Sequence, residues 1–286
     1  MKPIAPIRPS PIAGSWYPNN PQKLAIEVDN YLDNATLPDL DGDVVAVIAP
    51  HAGYVYSGAV AGYAFSAVRE REFDLVALLS PMHAPHRDAF LSSAHAFYAT
   101  PLGKIPVARD TVNAVSADLE EKLGFGITPI ANDREHSLEI ELPFLQRALK
   151  NNFELLPIMI RSTNASELKI LGQALAKVLR GKNALLVAST DLSHFYTQEN
   201  AKTLDSEMLR QIENFSPEGV LQAEEMGKGF ACGRGAVATT LYAARDLGAK
   251  KVKILNYATS GDISGDYSSV VGYGSAVVLG RQGLQG

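Results

Sequence analysis

The chain has 286 residues, of which 46% are hydrophobic and 8% aromatic, and this composition is sufficient to bury a large core. Its formal net charge of −5 provides no basic excess for a phosphate backbone, so we expect no nucleic-acid partner. No apolar run reaches the length of about 18 residues that a membrane span needs, and the proline-broken N-terminus lacks the apolar region of a signal peptide. A single cysteine excludes an intramolecular disulfide, so we expect a cytoplasmic protein without a membrane segment.

The predicted elements alternate between strands and helices along most of the chain. Residues 1–20 contain five prolines and no periodicity, so we expect them to form an extended arm over the surface. Helical patterns cover residues 21–35, 137–150 and 166–180. Short apolar runs, typical of buried strands, occupy residues 44–50, 74–81, 153–160, 183–190, 251–258 and 270–279. This alternation predicts one α/β domain over residues 1–286, with a central, mostly parallel sheet flanked by helices.

Polar side chains follow three of the apolar runs directly. His51 follows the first run, His83 follows the second, and Asp191 and His194 follow the fourth. Ligands of open α/β sheets bind outside the carboxyl ends of the strands. We therefore expect these four residues to share one polar site.

The remaining histidines and the cysteine have weaker signals. Cys232 lies in a glycine-dense turn before a helical stretch, where a helix dipole would stabilise its thiolate. His95 lies within a predicted strand, and we interpret it as structural. His136 precedes a helical run that is unusual in carrying Glu139 and Glu141 among apolar neighbours, and capping is its simplest role.

Several blocks resemble the Memo family in both order and spacing: "IAPHAGYVYSG", "SPMHAPH", "HSLEIELPFL", "STDLSHF" and "CGRG". The N-terminal "AGSWYP" and the late "LNYATSGD" are similar as well, so the resemblance spans nearly the whole chain. It implies a fold like that of the class III extradiol ring-cleaving dioxygenases, which hold non-haem Fe(II) with two histidines and a carboxylate. The family also includes protein B of the AmmeMemoRadiSam system, which implies a link to AMMECR-type and radical-SAM proteins.

The resemblance also implies roles for individual residues. It places the metal ligands at His51, His83 and Cys232, and a further site pair at Asp191 and His194. His194 falls where the dioxygenases keep an acid/base histidine, and we expect Asp191 to orient it.

Four further residues are assigned to the pocket around the metal. His136 matches a family block without a defined role, and His86 either supports the site or is solvated. Tyr54 and Tyr56 either form a wall of the pocket or pack in the core. "SPMHAPH" departs from the "GPSHH"-like block of eukaryotic relatives: His83 keeps the ligand position, but its neighbour is Ala84.

Two imidazoles and one thiolate favour Fe(II), Cu(I) or Zn over Mg or Ca. We therefore expect a metal-dependent redox protein that uses Fe(II) or Cu(I), with Zn as the other possibility, acting on an undetermined substrate. The alternative is a non-catalytic module that binds a peptide in the same pocket, such as an anionic or phosphorylated peptide end. A metallohydrolase ranks third.

Overall fold

The computed structural model describes residues 4–281. The strands are β1 (Ile7–Arg8), β2 (Val44–Ala49), β3 (Leu75–Pro81), β4 (Phe90–Ser93), β5 (Phe97–Thr100), β6 (Gly103–Pro106), β7 (Thr128–Ile130), β8 (Glu154–Ile160), β9 (Ala184–Ser189), β10 (His194–Tyr196), β11 (Lys251–Thr259) and β12 (Val270–Leu279). The helices are α1 (Pro21–Asn34), α2 (Tyr54–Ser66), α3 (Arg109–Leu123), α4 (Leu142–Ala148), α5 (Ala165–Leu179), α6 (Gln198–Glu213), α7 (Pro217–Glu225), α8 (Arg234–Asp246) and α9 (Gly261–Ser264). All six apolar runs of the sequence form strands, namely β2, β3, β8, β9, β11 and β12.

The main sheet has the strand order β10-β12-β2-β9-β3-β8-β4-β7, and β11 pairs with β12. Its centre, β2-β9-β3-β8, is parallel, whereas β12 runs antiparallel to β2 and β4 runs antiparallel to β8. The sheet is therefore mixed, and the prediction of a mostly parallel sheet applies to its centre. The antiparallel pairing at the edge has a simple cause: β11 and β12 are joined by a short connection rather than by the long crossover that parallel neighbours need.

The central strands are buried, and helices flank the sheet. Every residue of β2 and β3 is buried, as expected for parallel strands covered on both faces. Helix α2 packs against β2 and β12, while α8 packs against β3 and β9. Because β2, β9 and β3 are parallel neighbours, the segments that follow them emerge at one edge of the sheet. The fold thus confirms an α/β architecture whose strand ends converge.

The predicted helix at residues 137–150 is shorter in the structure. Residues Glu139–Glu141 form a single 3₁₀ turn, and the α-helix proper is α4, with Pro143 in its first turn. Proline is favoured there because the first helical N–H groups have no partner within the helix. His136 precedes this turn and does not cap a helix.

The arm predicted at residues 1–20 is anchored to the rest of the fold at three buried positions, while most of its described residues are exposed or partly exposed. Residues 1–3 lie outside the described part of the chain. Beyond them, β1 pairs with β5, and Arg8, Ile12 and Tyr17 are buried. The reason is a cluster of charged groups that sequence periodicity does not reveal.

We call this cluster the Arg8 cluster; it comprises Arg8, Asp133, Glu139, Tyr17 and Ser10. The Arg8 guanidinium lies 2.7 Å from Asp133 Oδ1 and 2.5 Å from Glu139 Oε2. Tyr17 donates a hydrogen bond of 2.7 Å to Glu139 Oε1, to which Ser10 also donates. Burial of a charged side chain is tolerated when it is paired and hydrogen-bonded in this way. The arm is therefore fixed to the segment that precedes α4.

Candidate metal centre

Three histidines meet beyond the carboxyl ends of β2 and β3. His51 and His83 each follow a strand, β2 and β3 respectively, after one intervening residue, and His136 comes from the loop between β7 and α4. One potential ligand atom from each of them lies within 4.8 Å of those of the other two. The rings of His83 and His136 are stacked, with centroids 4.7 Å apart, and His51 meets both rings edge-on. We call these three residues the histidine cluster.

His51 is held by a buried chain of hydrogen bonds. Its Nδ1 lies 2.9 Å from Ser189 Oγ, which also lies 2.6 Å from the carbonyl oxygen of Ser137 and 2.7 Å from Glu141 Oε1. Burial raises the pKa of Glu141 well above its usual value, so this carboxyl keeps its proton. If Ser189 donates its one hydrogen to the Ser137 carbonyl, then Glu141 and His51 Nδ1 both donate to Ser189. His51 Nε2 is then left with a free lone pair.

Burial also keeps His51 neutral. It lowers the pKa of this imidazole well below 6.5, and the neighbouring His136 and His83 add to the effect. A neutral imidazole with one nitrogen hydrogen-bonded and the other free is the form that binds metals.

His83 is held by Glu135. The carboxylate accepts hydrogen bonds from the backbone N–H of His83 at 2.6 Å and lies 2.9 Å from His83 Nδ1. It also accepts from the backbone N–H groups of His136 and Ser137, each at 2.9 Å. Burial is the largest influence on the pKa of Glu135 and raises it, but the hydrogen bond and charge of His83 and the backbone N–H groups together outweigh burial, so the pKa is lowered. Burial likewise opposes protonation of His83, but the hydrogen bond and charge of Glu135, with the charge of Asp191, raise the pKa of His83. Glu135 thus fixes two histidines of the cluster and leaves Nε2 of His83 free.

Cys232 contacts the cluster from one side. Its Sγ lies 3.2 Å from His51 Nε2, although Cys232 is not itself one of the three grouped residues. The turn can approach β9 because residue 233 is glycine: a Cβ there would lie 2.3 Å from the Ser189 carbonyl oxygen. The structure corrects the expectation that a helix dipole lowers the thiol pKa. Burial, together with the nearby Asp191, raises the pKa of Cys232, so the sulfur is protonated in the absence of a metal.

Asp191 and His194 do not form the expected pair. Asp191 Oδ1 accepts a hydrogen bond of 2.7 Å from the backbone N–H of His51, and its Oδ2 lies 3.9 Å from His51 Nε2. His194 Nδ1 instead donates to the carbonyl oxygen of Leu192 at 2.7 Å, which leaves its Nε2 free. Asp191 fails to orient His194 because its carboxylate turns toward β2. Burial raises the pKa of Asp191 to about 7 and lowers that of His194.

A cavity of about 900 Å³ opens above the histidine cluster, and we call it the main cleft. Its lining includes all three clustered histidines, Asp191, His194 and Tyr56. Cys232 and His83 line a second, smaller cavity of about 280 Å³. His83 therefore borders both cavities.

Two residues assigned to the pocket, Tyr54 and His86, do not line the main cleft. Tyr54 is buried in the core, where it donates a hydrogen bond of 2.8 Å to the carbonyl oxygen of Ile140. His86 lies beside Asp88, whose backbone N–H donates to its Nδ1 at 3.1 Å. His95 is structural, as expected, but it lies in a bend between β4 and β5, where it bridges the carbonyl of Ala5 and the N–H of Asn132.

Sequence reasoning missed Glu135, Ser189 and Arg8. Glu135 could have been identified from the sequence, because it is adjacent to His136 and carboxylates commonly support histidine ligands of a metal. Ser189 and Arg8 had none, because their role depends on contacts with residues distant in sequence.

A mixed α/β sheet with three histidines clustered where its parallel strands end defines a protein with a potential metal centre. The family profile described as "Memo-like protein" matches residues 8–277, and the chain belongs to the Memo family. The family resemblance of the sequence is thus confirmed.

Relatives from archaea match over nearly their whole length. The chain is 32% identical over 273 residues to a MEMO1 family protein of Nitrosopumilus maritimus, covering 94% of this chain and 98% of the relative. It is 31% identical over 274 residues to one of Methanosarcina mazei, covering 95% and 99% respectively. An uncharacterized protein of known structure, JW3007 from Escherichia coli K12, aligns with a TM-score of 0.48 and 13% identity over 83% of this chain and 100% of that one. Within residues 4–281, no helix is long and apolar enough to span a bilayer.

Proposed function

We propose that this protein binds a redox-active transition metal, Fe(II) or Cu(I), at the histidine cluster and serves redox chemistry on a small molecule in the main cleft. The observation that carries this proposal is the cluster itself, in which three histidine ligand atoms lie within 4.8 Å of one another at the base of a large cavity. Histidine and cysteine ligands suit Fe, Cu and Zn rather than Mg or Ca, so Zn is the competing metal.

The donor set fits a metal ion. His51 and His83 each have a buried partner on Nδ1, which is the arrangement of supported metal ligands. Nε2 of His51 faces Cys232 Sγ, which is itself a candidate ligand. Two candidates supply the third ligand: His136, which belongs to the cluster, and Cys232, which the family resemblance favours. Two atoms bound to one ion at 2.0–2.3 Å are separated by about 3–3.5 Å, and Cys232 Sγ lies 3.2 Å from His51 Nε2.

His194, which also lines the main cleft, is the residue that we assign to proton transfer. Burial lowers the pKa of His194, which favours the neutral imidazole, and the Leu192 carbonyl holds the proton on Nδ1, so the lone pair of Nε2 is available as a general base. A bound Fe(II) or Cu(I) ion would supply the electron transfer. His194→Ala should therefore leave metal affinity intact and lower turnover by about 10²–10⁴-fold.

Anaerobic titration of purified protein with Fe(II), Cu(I) and Zn tests the metal site. His51→Ala and His83→Ala should weaken binding by more than the roughly 10–100-fold typical of losing a supporting partner. Whichever of His136→Ala and Cys232→Ala shows the larger loss identifies the third ligand. His86→Ala is the matched control, because His86 lies outside the cleft and is partly exposed. Equal affinity of all five variants would refute the metal site, and absence of oxygen consumption or substrate oxidation by the metal-loaded protein would count against a redox role.

Two features disfavour the alternative of a module for anionic or phosphorylated peptide ends. Among the described residues that line the main cleft there is no lysine or arginine, whereas Glu27, Asp191 and Asp266 contribute carboxyl groups. Phosphate recognition normally uses arginine or lysine. The family resemblance supports one further proposal, a functional link to AMMECR-type and radical-SAM proteins. The single cysteine supports the proposal of a cytoplasmic location.

A further inference from the structure

The mouth of the main cleft exposes apolar and aromatic surface. Phe195 is 75% exposed, Val55 63% and Tyr56 43%, and all three line the cleft. Trp16 also lines it and packs on His136 with ring centroids 4.2 Å apart. We call Trp16, Tyr56 and Phe195 the aromatic mouth. Clustered exposed apolar side chains at a cavity typically mark a binding site.

The backbone at Phe195 is held in an unfavourable conformation. Its φ is 64°, in the left-handed region that glycine tolerates and a bulky side chain does not. The register between β10 and β12 shifts at this point, between His194 and Tyr196. The exposed ring gains little from burial to offset this cost. Strain of this kind concentrates at ligand-binding positions.

The carboxyl groups that line the cleft differ in their exposure to solvent. Glu27 and Asp266 are at least partly exposed, whereas Asp191 is buried beside the histidine cluster. His83, which also lines the cleft, is paired with the carboxylate of Glu135. With no lysine or arginine among the described lining residues, the outer cleft carries negative charge.

We propose that the main cleft takes a small molecule with an aromatic ring and a positively charged amine. The ring packs against the aromatic mouth, and Glu27 and Asp266 attract the amine. The amine also gains from the faces of neighbouring aromatic rings. This inference names the ligand class of the site in the proposed function and rests on that site, but it does not depend on which metal binds.

Three phenols that differ in charge test the proposal: tyramine (cationic), p-cresol (neutral) and 4-hydroxyphenylacetate (anionic). Trp16 is the only tryptophan of the chain, so its fluorescence reports directly on the cleft, and calorimetry gives the dissociation constants. The measurement uses full-length protein stripped of metal by a chelator, at low salt. Tyramine should bind about tenfold more tightly than 4-hydroxyphenylacetate, with p-cresol between them, and added salt should narrow the gap.

Variants test which residues cause the preference for tyramine and which bind the ring. Glu27→Gln combined with Asp266→Asn should abolish the preference for tyramine and leave p-cresol binding unchanged. Phe195→Ala should weaken binding of all three phenols. Phe125→Ala is its control, because Phe125 is also exposed but lines a different cavity.

Three outcomes would overturn the proposal. They are equal or tighter binding of 4-hydroxyphenylacetate, an unchanged tyramine preference in the double variant, and no binding of any probe. If the titrations show no metal binding but the protein still prefers tyramine, only the proposed function is refuted, because the probes are measured without metal.

Discussion

The segment from Asp133 to Glu141 lies between two buried regions that handle charge differently. In the Arg8 cluster, a guanidinium pairs with Asp133 and Glu139. In the region of the histidine cluster, Glu141 has Ser189 as its hydrogen-bond partner and pairs with no cation of residues 4–281, and burial raises its pKa well above the usual value. Glu139 and Glu141 are two residues apart and are both essentially inaccessible to solvent, at 0% and 1% exposure.

The difference separates a structural region from a chemical one. Paired charges fix geometry, because removing one partner leaves the other buried and uncompensated. Groups that stay neutral keep lone pairs available for a ligand or a metal. Arg8 connects the two regions, since its Nη2 donates a hydrogen bond of 2.6 Å to the backbone carbonyl of Glu135, the residue that holds His83.

The largest expected effect is that of Arg8→Met, which leaves Asp133 and Glu139 without their cation. We expect the free energy of unfolding in urea to fall by about 3–5 kcal/mol. Metal affinity should fall as well, because the loop that carries Glu135 loses its anchor. Arg69→Ala is the control: its ion pair with Asp33 is exposed, and such pairs contribute about 0–1 kcal/mol. An equal loss in both variants would show that the Arg8 cluster is not a buried ion-pair network.

The second prediction compares the free energies of unfolding of Glu139→Gln and Glu141→Gln. Glu139 accepts hydrogen bonds from Arg8, Tyr17 and Ser10, so replacing its charge should cost about 1.5–3 kcal/mol of unfolding free energy. The raised pKa of Glu141 indicates that it carries no charge to lose, so its amide replacement should lower stability by no more than about 1 kcal/mol at neutral pH. Chemical denaturation of the two variants checks this. A larger loss for Glu141→Gln would show that Glu141 is ionised.

The smallest effect is a dependence on pH. Because the pKa of Glu141 is raised in the folded state above its ordinary 4.5, the folded protein binds more protons than the unfolded chain above that pH. Glu141 therefore lowers the free energy of unfolding as pH rises from 4.5 toward its raised pKa, by at most about 1.4 kcal/mol per pH unit.

Glu141→Gln removes that loss. The difference in unfolding free energy between the variant and the parent protein should move in the variant's favour as pH rises above 4.5. The raised pKa of Asp191 acts in the same direction, but it is present in both proteins and cancels. Denaturation at a series of pH values measures the difference, and a difference independent of pH would contradict a protonated Glu141.

The site residues that closely follow a strand could be predicted from the sequence. His51 and His83 follow β2 and β3 so closely that the direction of the strands determines where they emerge. His136 was predictable only as a pocket residue of undefined role, because it comes from a loop without periodicity. Tyr54 and Tyr56 were indistinguishable in sequence; the helical turn they begin buries one and exposes the other.

The sequence by itself determined the six longest strands, helices α1 and α5, the α/β class and the family, because these depend on local hydrophobic periodicity and on motifs in order. Tertiary structure alone decided which charges are paired and which are neutralised. It buried Arg8 with Glu139, placed Glu135 on His83, turned Asp191 away from His194, and left Phe195 exposed at the cleft. The physical reason is that desolvation and pairing depend on which distant segments meet, and a residue's own neighbours in sequence do not carry that information.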